Sequence, residues 1–197
     1  VDPKTREELE RIAEEIRHCT RCPLHKSRTN AVPGEGGFQR GVLMIGEAPG
    51  RNEDLQGRPF VGRAGQLLNE LLDSIGLTRD DVFITNVVKC RPPNNRDPAP
   101  EEVKACSPYL ERQIQVLRPR IIVTLGRHAW KWVCEHFGIP YESISKAHGK
   151  IYRASTLLYG VITVIPMYHP AAAIYNKELL PVLREDFQKL KALLEDQ

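Results

Sequence analysis

Val42-Leu43-Met44-Ile45-Gly46-Glu47-Ala48-Pro49-Gly50 joins four consecutive apolar residues to a turn made of two glycines and a proline. An apolar run without alternation suits a strand covered on both faces, and sheets of such strands are parallel, with helices over each face. Glycine just past the strand lets the backbone approach a ligand closely. The turn has neither the G-x-G-x-x-G spacing of a dinucleotide fold nor the Gly-Lys-Ser/Thr ending of a phosphate loop, which excludes both nucleotide-binding readings.

The same pattern recurs downstream. Val82-Phe83-Ile84-Thr85 runs into Asn86, Ile121 to Leu125 into Gly126-Arg127-His128, and Val161 to Ile165 into Pro166-Met167-Tyr168-His169. Helical spacing of apolar residues fills the intervals: Leu67, Leu68, Leu71, Leu72 and Ile75, stopped by Gly76; Glu101 to Leu117; a helix opening near Trp130; and a last one from Glu178 to Leu194. An amphipathic helix from Thr5 to His18 precedes them, with Thr5 and Glu8 spaced as a capping box. Strands alternating with helices predict an α/β fold: a three-layer α/β/α sandwich around a central four-stranded, mainly parallel sheet. At 197 residues, 41% hydrophobic and 27% charged, the chain is expected to form a single domain over residues 1–197. No stretch approaches the roughly 18 apolar residues of a membrane span and the first residues are charged, so a soluble, intracellular, cytoplasmic protein is expected. The net charge of +3 permits a polyanionic partner without requiring one.

Ligands of such folds bind beyond the carboxyl ends of the strands. Glu47, Asn86, Arg127, His128 and His169 stand there, each polar after an apolar strand. Phe60 lies in the bent segment Gly57 to Gly62, where a loop aromatic serves either as a plug or as a stacking platform for a planar ligand. Four thiols form a second constellation: Cys19 and Cys22 at the end of the first helix, then Cys90 and Cys106 across the middle of the chain. Clustered thiolates repel unless a cation takes up their charge, and four of them suit zinc or an iron–sulfur cluster. Two disulfides, or four unrelated buried thiols, are the alternatives. Cys134 falls on an apolar helical stripe and reads as a small buried hydrophobe.

Taken together, GEAPG at 46–50, GRPFVG at 57–62, Thr85-Asn86, the four-thiol pattern and HPAAA at 169–173 resemble the family 4 uracil-DNA glycosylases, iron–sulfur enzymes of thermophilic bacteria and archaea. The resemblance implies a 4Fe-4S cluster on Cys19, Cys22, Cys90 and Cys106, and uracil-containing DNA as the partner of a monomeric enzyme. It implies that Phe60 stacks on the extruded base and that the Asn86 amide reads its N3 and O4. Backbone of Gly46, Glu47 and Ala48 would line the pocket, and Glu53 would wall off a 5-methyl group. His169 would donate to the departing O2, while Glu47 would orient water or offset charge on the sugar. Lys89, Arg91, Arg96, Arg127, Lys131 and Lys150 would meet phosphates, and Pro170 and Ala171, in a small apolar loop, would form a wedge in the base stack. A covalently reacting relative carries an added basic loop with a histidine near the first motif, and no histidine lies between Gly50 and Phe60. A non-catalytic nucleic-acid-binding module on a zinc site is the other reading.

Overall fold

A computed structural model describes residues 1–158 and 160–196. The first helix, α1 (Pro3–Arg17), starts earlier than its sequence suggests. Asp2 caps it by accepting from the Thr5 N–H at 2.8 Å, with Pro3 in the first turn, so the Thr5/Glu8 pair lies inside the helix and does not cap it.

The sheet comprises β1 (Val42–Gly46), β2 (Val82–Asn86), β3 (Ile121–Leu125), β4 (Tyr152–Thr156) and β5 (Gly160–Met167), in the order β2-β1-β3-β5-β4. All neighbours are parallel except β4, which runs antiparallel to β5 at the edge. The sheet thus has five described strands where four are expected. In the additional one, Tyr-Arg-Ala-Ser-Thr, only Ala154 is buried, so it offers no apolar run to read.

Side chains of β1 alternate between two cores. Leu43 and Ile45 join Phe83, Ile122 and Val164 on the face covered by α1, α4 (Pro100–Leu117) and α5 (Arg127–Phe137). Val42 and Met44 join Ile84, Val123 and Ile165 on the face covered by α3 (Arg63–Ser74) and α8 (Leu179–Glu195). The first three strands are buried at every position, as continuous apolar runs require. Among the described residues, three short α-helices complete the fold: α2 (Arg51–Gln56), α6 (Ile144–Ala147) and α7 (Pro170–Tyr175). Among the described residues no helix is long and apolar enough to cross a membrane.

Register decides where chemistry can gather. Gly46 sits opposite Asn86, Ile45 opposite Thr124 and Leu125 opposite Met167, so the four parallel strands end at nearly one level. Glu47, Asn86, Arg127, His128 and His169 emerge from that rim.

Candidate active site

Gly46 is the point on which the rim converges. A Cβ built there would lie 2.5 Å from the Asn86 Oδ1 and 2.8 Å from the Phe60 Cζ, so amide and ring meet over a residue that must have no side chain. Asn86 is 2% exposed, and among the described residues its side-chain amide has no hydrogen-bond partner; its atoms are reached from the cavity and not sealed in the core. An amide so placed is free to pair with a ligand in that cavity.

Phe60 adopts φ 50°, a left-handed conformation that a bulky residue does not take without support. Arg79 supplies the support, donating from Nη1 to the Phe60 carbonyl at 3.0 Å and from Nη2 to the Pro59 carbonyl at 2.6 Å. Gly65, in the first turn of α3, lets the helix pack directly on the Phe60 carbonyl. Glu53 on α2 closes the other side. One carboxylate oxygen accepts from the Gly50 N–H at 3.0 Å, and the other from Val61 and Gly62 at 2.9 Å each, so the glycine turn after β1 and the Phe60 segment are clamped together.

His169 caps α7, its Nδ1 accepting from the Ala171 N–H at 3.0 Å. That bond assigns the tautomer: with Nδ1 an acceptor, the proton of the neutral ring is on Nε2. Burial pushes the His169 pKa down to about 4, opposed in part by the Glu53 carboxylate, so the ring is neutral across the physiological range. Its plane stacks on Phe60, 5.3 Å between centroids and 24° between planes. Phe60, Asn86, His169, Glu47 and Glu53 line one cavity of about 220 Å³.

Glu47 closes the remaining edge. Burial, then the neighbouring Asp97 carboxylate, raise its pKa to about 7, with Arg127 acting in the opposite sense. His128 Nε2 lies 3.5 Å from Glu47 and 3.4 Å from Asp97, and Arg127 Nη2 lies 3.4 Å from Asp97. Asp97 is absent from the sequence-based set. It lies in a proline-rich loop with no periodicity or motif spacing, and only the fold brings it to Glu47.

Cys19, Cys22, Cys90 and Cys106 line a common cavity, and none of them is in a disulfide. Three donors point at the sulfurs: the Lys89 N–H at 3.2 Å from Cys106, Arg28 Nη1 at 3.2 Å from Cys90, and the Arg21 N–H at 3.4 Å from Cys19. Burial pushes the Cys106 thiol up to about 12 and also raises those of Cys90 and Cys22. Such thiols ionise only if a metal accepts them. Cys134 is buried among apolar residues and takes no part.

The Uracil DNA glycosylase superfamily model matches residues 33–196. The chain is 54% identical over 187 residues to a type-4 uracil-DNA glycosylase of Saccharolobus solfataricus, covering 94% of this chain and 86% of that protein. It is 50% identical over 188 residues to the type-4 uracil-DNA glycosylase of Archaeoglobus fulgidus, covering 95% and 94%. That of Thermotoga maritima is 46% identical over 193 residues, covering 96% and 97%. The chain belongs to the type-4 uracil-DNA glycosylase family.

Several cations read from the sequence as phosphate contacts stand differently in this type-4 glycosylase. Lys89 is 1% exposed, and its Nζ donates to Thr85 Oγ1, the Asn86 carbonyl and Gln113 Oε1, so it is an internal tether and not a surface charge. Arg96 lines the glycosylase cavity but grips Glu102 with both terminal nitrogens, at 2.8 and 2.9 Å, leaving little free charge. Arg91 is held by Asn95 at 2.7 Å, while Arg127, Lys131 and Lys150 are exposed. Pro170 and Ala171 do not form a loop: they open α7, and Pro170 is buried, which leaves it unable to act as a wedge.

Proposed function

We propose that the chain hydrolyses the N-glycosidic bond of uracil rotated out of DNA, releasing the base and leaving an abasic site, with the rim residues in the following roles. The observation that carries this is the meeting of a stacking ring, an unpaired amide and an Nε2-protonated imidazole in one cavity. Phe60 offers the face against which the extruded base stacks, returning part of the few kcal/mol that unstacking costs. The Asn86 amide accepts from N3–H and donates to O4; cytosine presents the reverse pattern and would leave the amide unpaired, at about 1–3 kcal/mol. Glu53, with both oxygens held by three N–H groups, cannot swing aside and forms the wall against a 5-methyl group.

Bond cleavage places negative charge on the uracil O2. Neutral His169 donates to it from Nε2, and backbone N–H groups of the 46–50 turn assist; such preorganised donors favour the anion over the ground state. Glu47, ionising near neutrality, orients the attacking water or offsets charge on the sugar. Arg91, Arg127, Lys131 and Lys150 meet the flanking phosphates.

The thiol site suits a 4Fe-4S cluster: four cysteines line one cavity, and the N–H donors directed at Cys19, Cys90 and Cys106 fit an anionic group. When bound, that group supplies structural cross-linking of α1, the Lys89–Arg91 segment and α4.

The test is an oligonucleotide carrying one uracil, incubated with the protein and then treated with alkali. Scission at the uracil position is expected, and an intact strand with correctly folded protein refutes the proposal.

A further inference from the structure

The buried Nζ of Lys89 lies within hydrogen-bond distance of three partners, Thr85 Oγ1 at 2.6 Å, the Asn86 carbonyl at 2.7 Å and Gln113 Oε1 at 2.8 Å. All three can accept from it, the number of donors a lysine side chain offers when protonated. The acceptors are themselves fixed. Thr85 Oγ1 and Gln113 Nε2 both donate to the Pro33 carbonyl, at 2.8 and 2.9 Å, which commits the hydroxyl proton and sets which end of the Gln113 amide faces the ammonium. The backbone of the same residue belongs to the thiol site: its N–H donates to Cys106 Sγ, its carbonyl accepts from Val32 at 2.7 Å, and Cys90 is the next residue. Gln113 and Cys106 are seven residues apart on α4, on one face of the helix.

We propose that Lys89 is a positioning residue through which the thiol site sets the orientation of the Asn86 amide. It deepens, and rests on, the uracil-excision reading. The peptide carbonyl of Asn86 is the last of β2, where the ladder to β1 ends, and beyond it the chain turns toward the cysteines. Among the described residues no hydrogen bond holds the Asn86 side chain, so its aim depends on the peptide from which it projects. The ammonium locks that peptide to α4 through Gln113 and to the loop before β1 through Pro33. Readout by an amide needs placement to within about half an ångström. Loss of the tether would blur recognition while leaving the DNA-facing surface untouched.

Lys89→Met keeps the length of the side chain and removes all three donors. Under single-turnover conditions, uracil excision is expected to fall at least tenfold. Affinity for an abasic-site oligonucleotide, its dependence on salt, and the visible absorption of the bound cluster should remain those of the wild type. A lysine on a phosphate would instead flatten the slope of log K against log salt by about 0.9. Thr85→Val removes one acceptor of the three and should give a smaller loss of the same kind; it carries the test if Lys89→Met does not fold. Unchanged excision in the variants, a flatter salt slope, or loss of the cluster absorption overturns the proposal alone. A wild type that leaves uracil in place overturns the excision reading and this inference with it.

Discussion

Replacing Gly46 by alanine adds a single methyl group at the most crowded point of the rim. The new Cβ would lie 2.5 Å from Asn86 Oδ1, 2.8 Å from Phe60 Cζ and 3.0 Å from Phe60 Cε2, each inside ordinary contact. Overpacking of this kind costs about 1–3 kcal/mol. How it is relieved decides what is lost. The strand backbone cannot retreat, because Gly46 is paired to Asn86 in the ladder and its carbonyl accepts from Val87 at 3.0 Å. The amide and the ring both face a cavity of about 220 Å³, which has room to take them. Relief therefore displaces the two groups into the space the base would occupy. If the full overlap appears as lost transition-state binding, kcat/KM for uracil excision falls between roughly fivefold and 150-fold, at 1.36 kcal/mol per decade. Whatever part of the 1–3 kcal/mol appears in stability instead lowers the melting temperature by about 2–4 °C per kcal/mol, so the fall should not exceed about 12 °C. Gly65→Ala provides the contrast. Its Cβ would collide with the Phe60 carbonyl itself, which Arg79 holds from the other side, so the fold and not merely the cavity is disturbed. Thermal unfolding together with single-turnover cleavage separates the two. A Gly46→Ala protein with wild-type excision, or one as unstable as Gly65→Ala, would refute the reasoning.

Four further outcomes are expected. His169→Ala should lower the single-turnover rate about 10²–10³-fold, the cost of removing one oxyanion donor, with binding of a uracil oligonucleotide changed far less; an equal loss in both would place His169 in binding alone. The pH profile of kcat/KM should rise through about pH 7 as Glu47 ionises, because its carboxylate is the active form and its pKa is raised to about 7. Glu47→Gln should lower the plateau and remove that limb, whereas His169, neutral above about 4, adds no further limb near neutrality. Asn86→Asp should narrow the ratio of uracil to cytosine excision, and an unchanged ratio removes Asn86 from recognition. Cys90→Ala should lower the melting temperature and abolish visible absorption in the purified protein; a colourless wild type with stoichiometric zinc would overturn the cluster assignment.

The elements legible in the sequence were those whose signal is local. Val42–Ile45, Val82–Thr85 and Ile121–Leu125 are buried on both faces, so their apolar runs could be read directly, and the rim residues followed from where the runs stop. β4 escaped because an edge strand with one buried residue obeys no pattern, and α2 and α7 because six-residue helices are too short to show a period. The HPAAA segment looks like a loop for its proline, yet proline in the first turn of a helix is favourable, and the His169 cap that starts it is also what leaves the imidazole proton on Nε2.

Charge was the least legible property, and for one reason. The chain carries 28 lysines and arginines against 25 acidic residues, and the sequence does not say which have been consumed internally. Lys89 and Arg91 flank Cys90 and look alike in Lys-Cys-Arg, but one lies inside with three acceptors and the other at the surface against Asn95. What separates them is Gln113 and Pro33, which lie 24 and 56 residues from Lys89 and become its surroundings only when α4 and the loop before β1 close over β2. The fold likewise buries Glu47 and brings Asp97 to it, and burial first, then that neighbouring carboxylate, raises the Glu47 pKa to about 7. Sequence motifs identify the groups that touch the base; the groups that orient them and set their protonation come from chain segments remote in sequence, and it is there that substitutions outside every motif should alter catalysis.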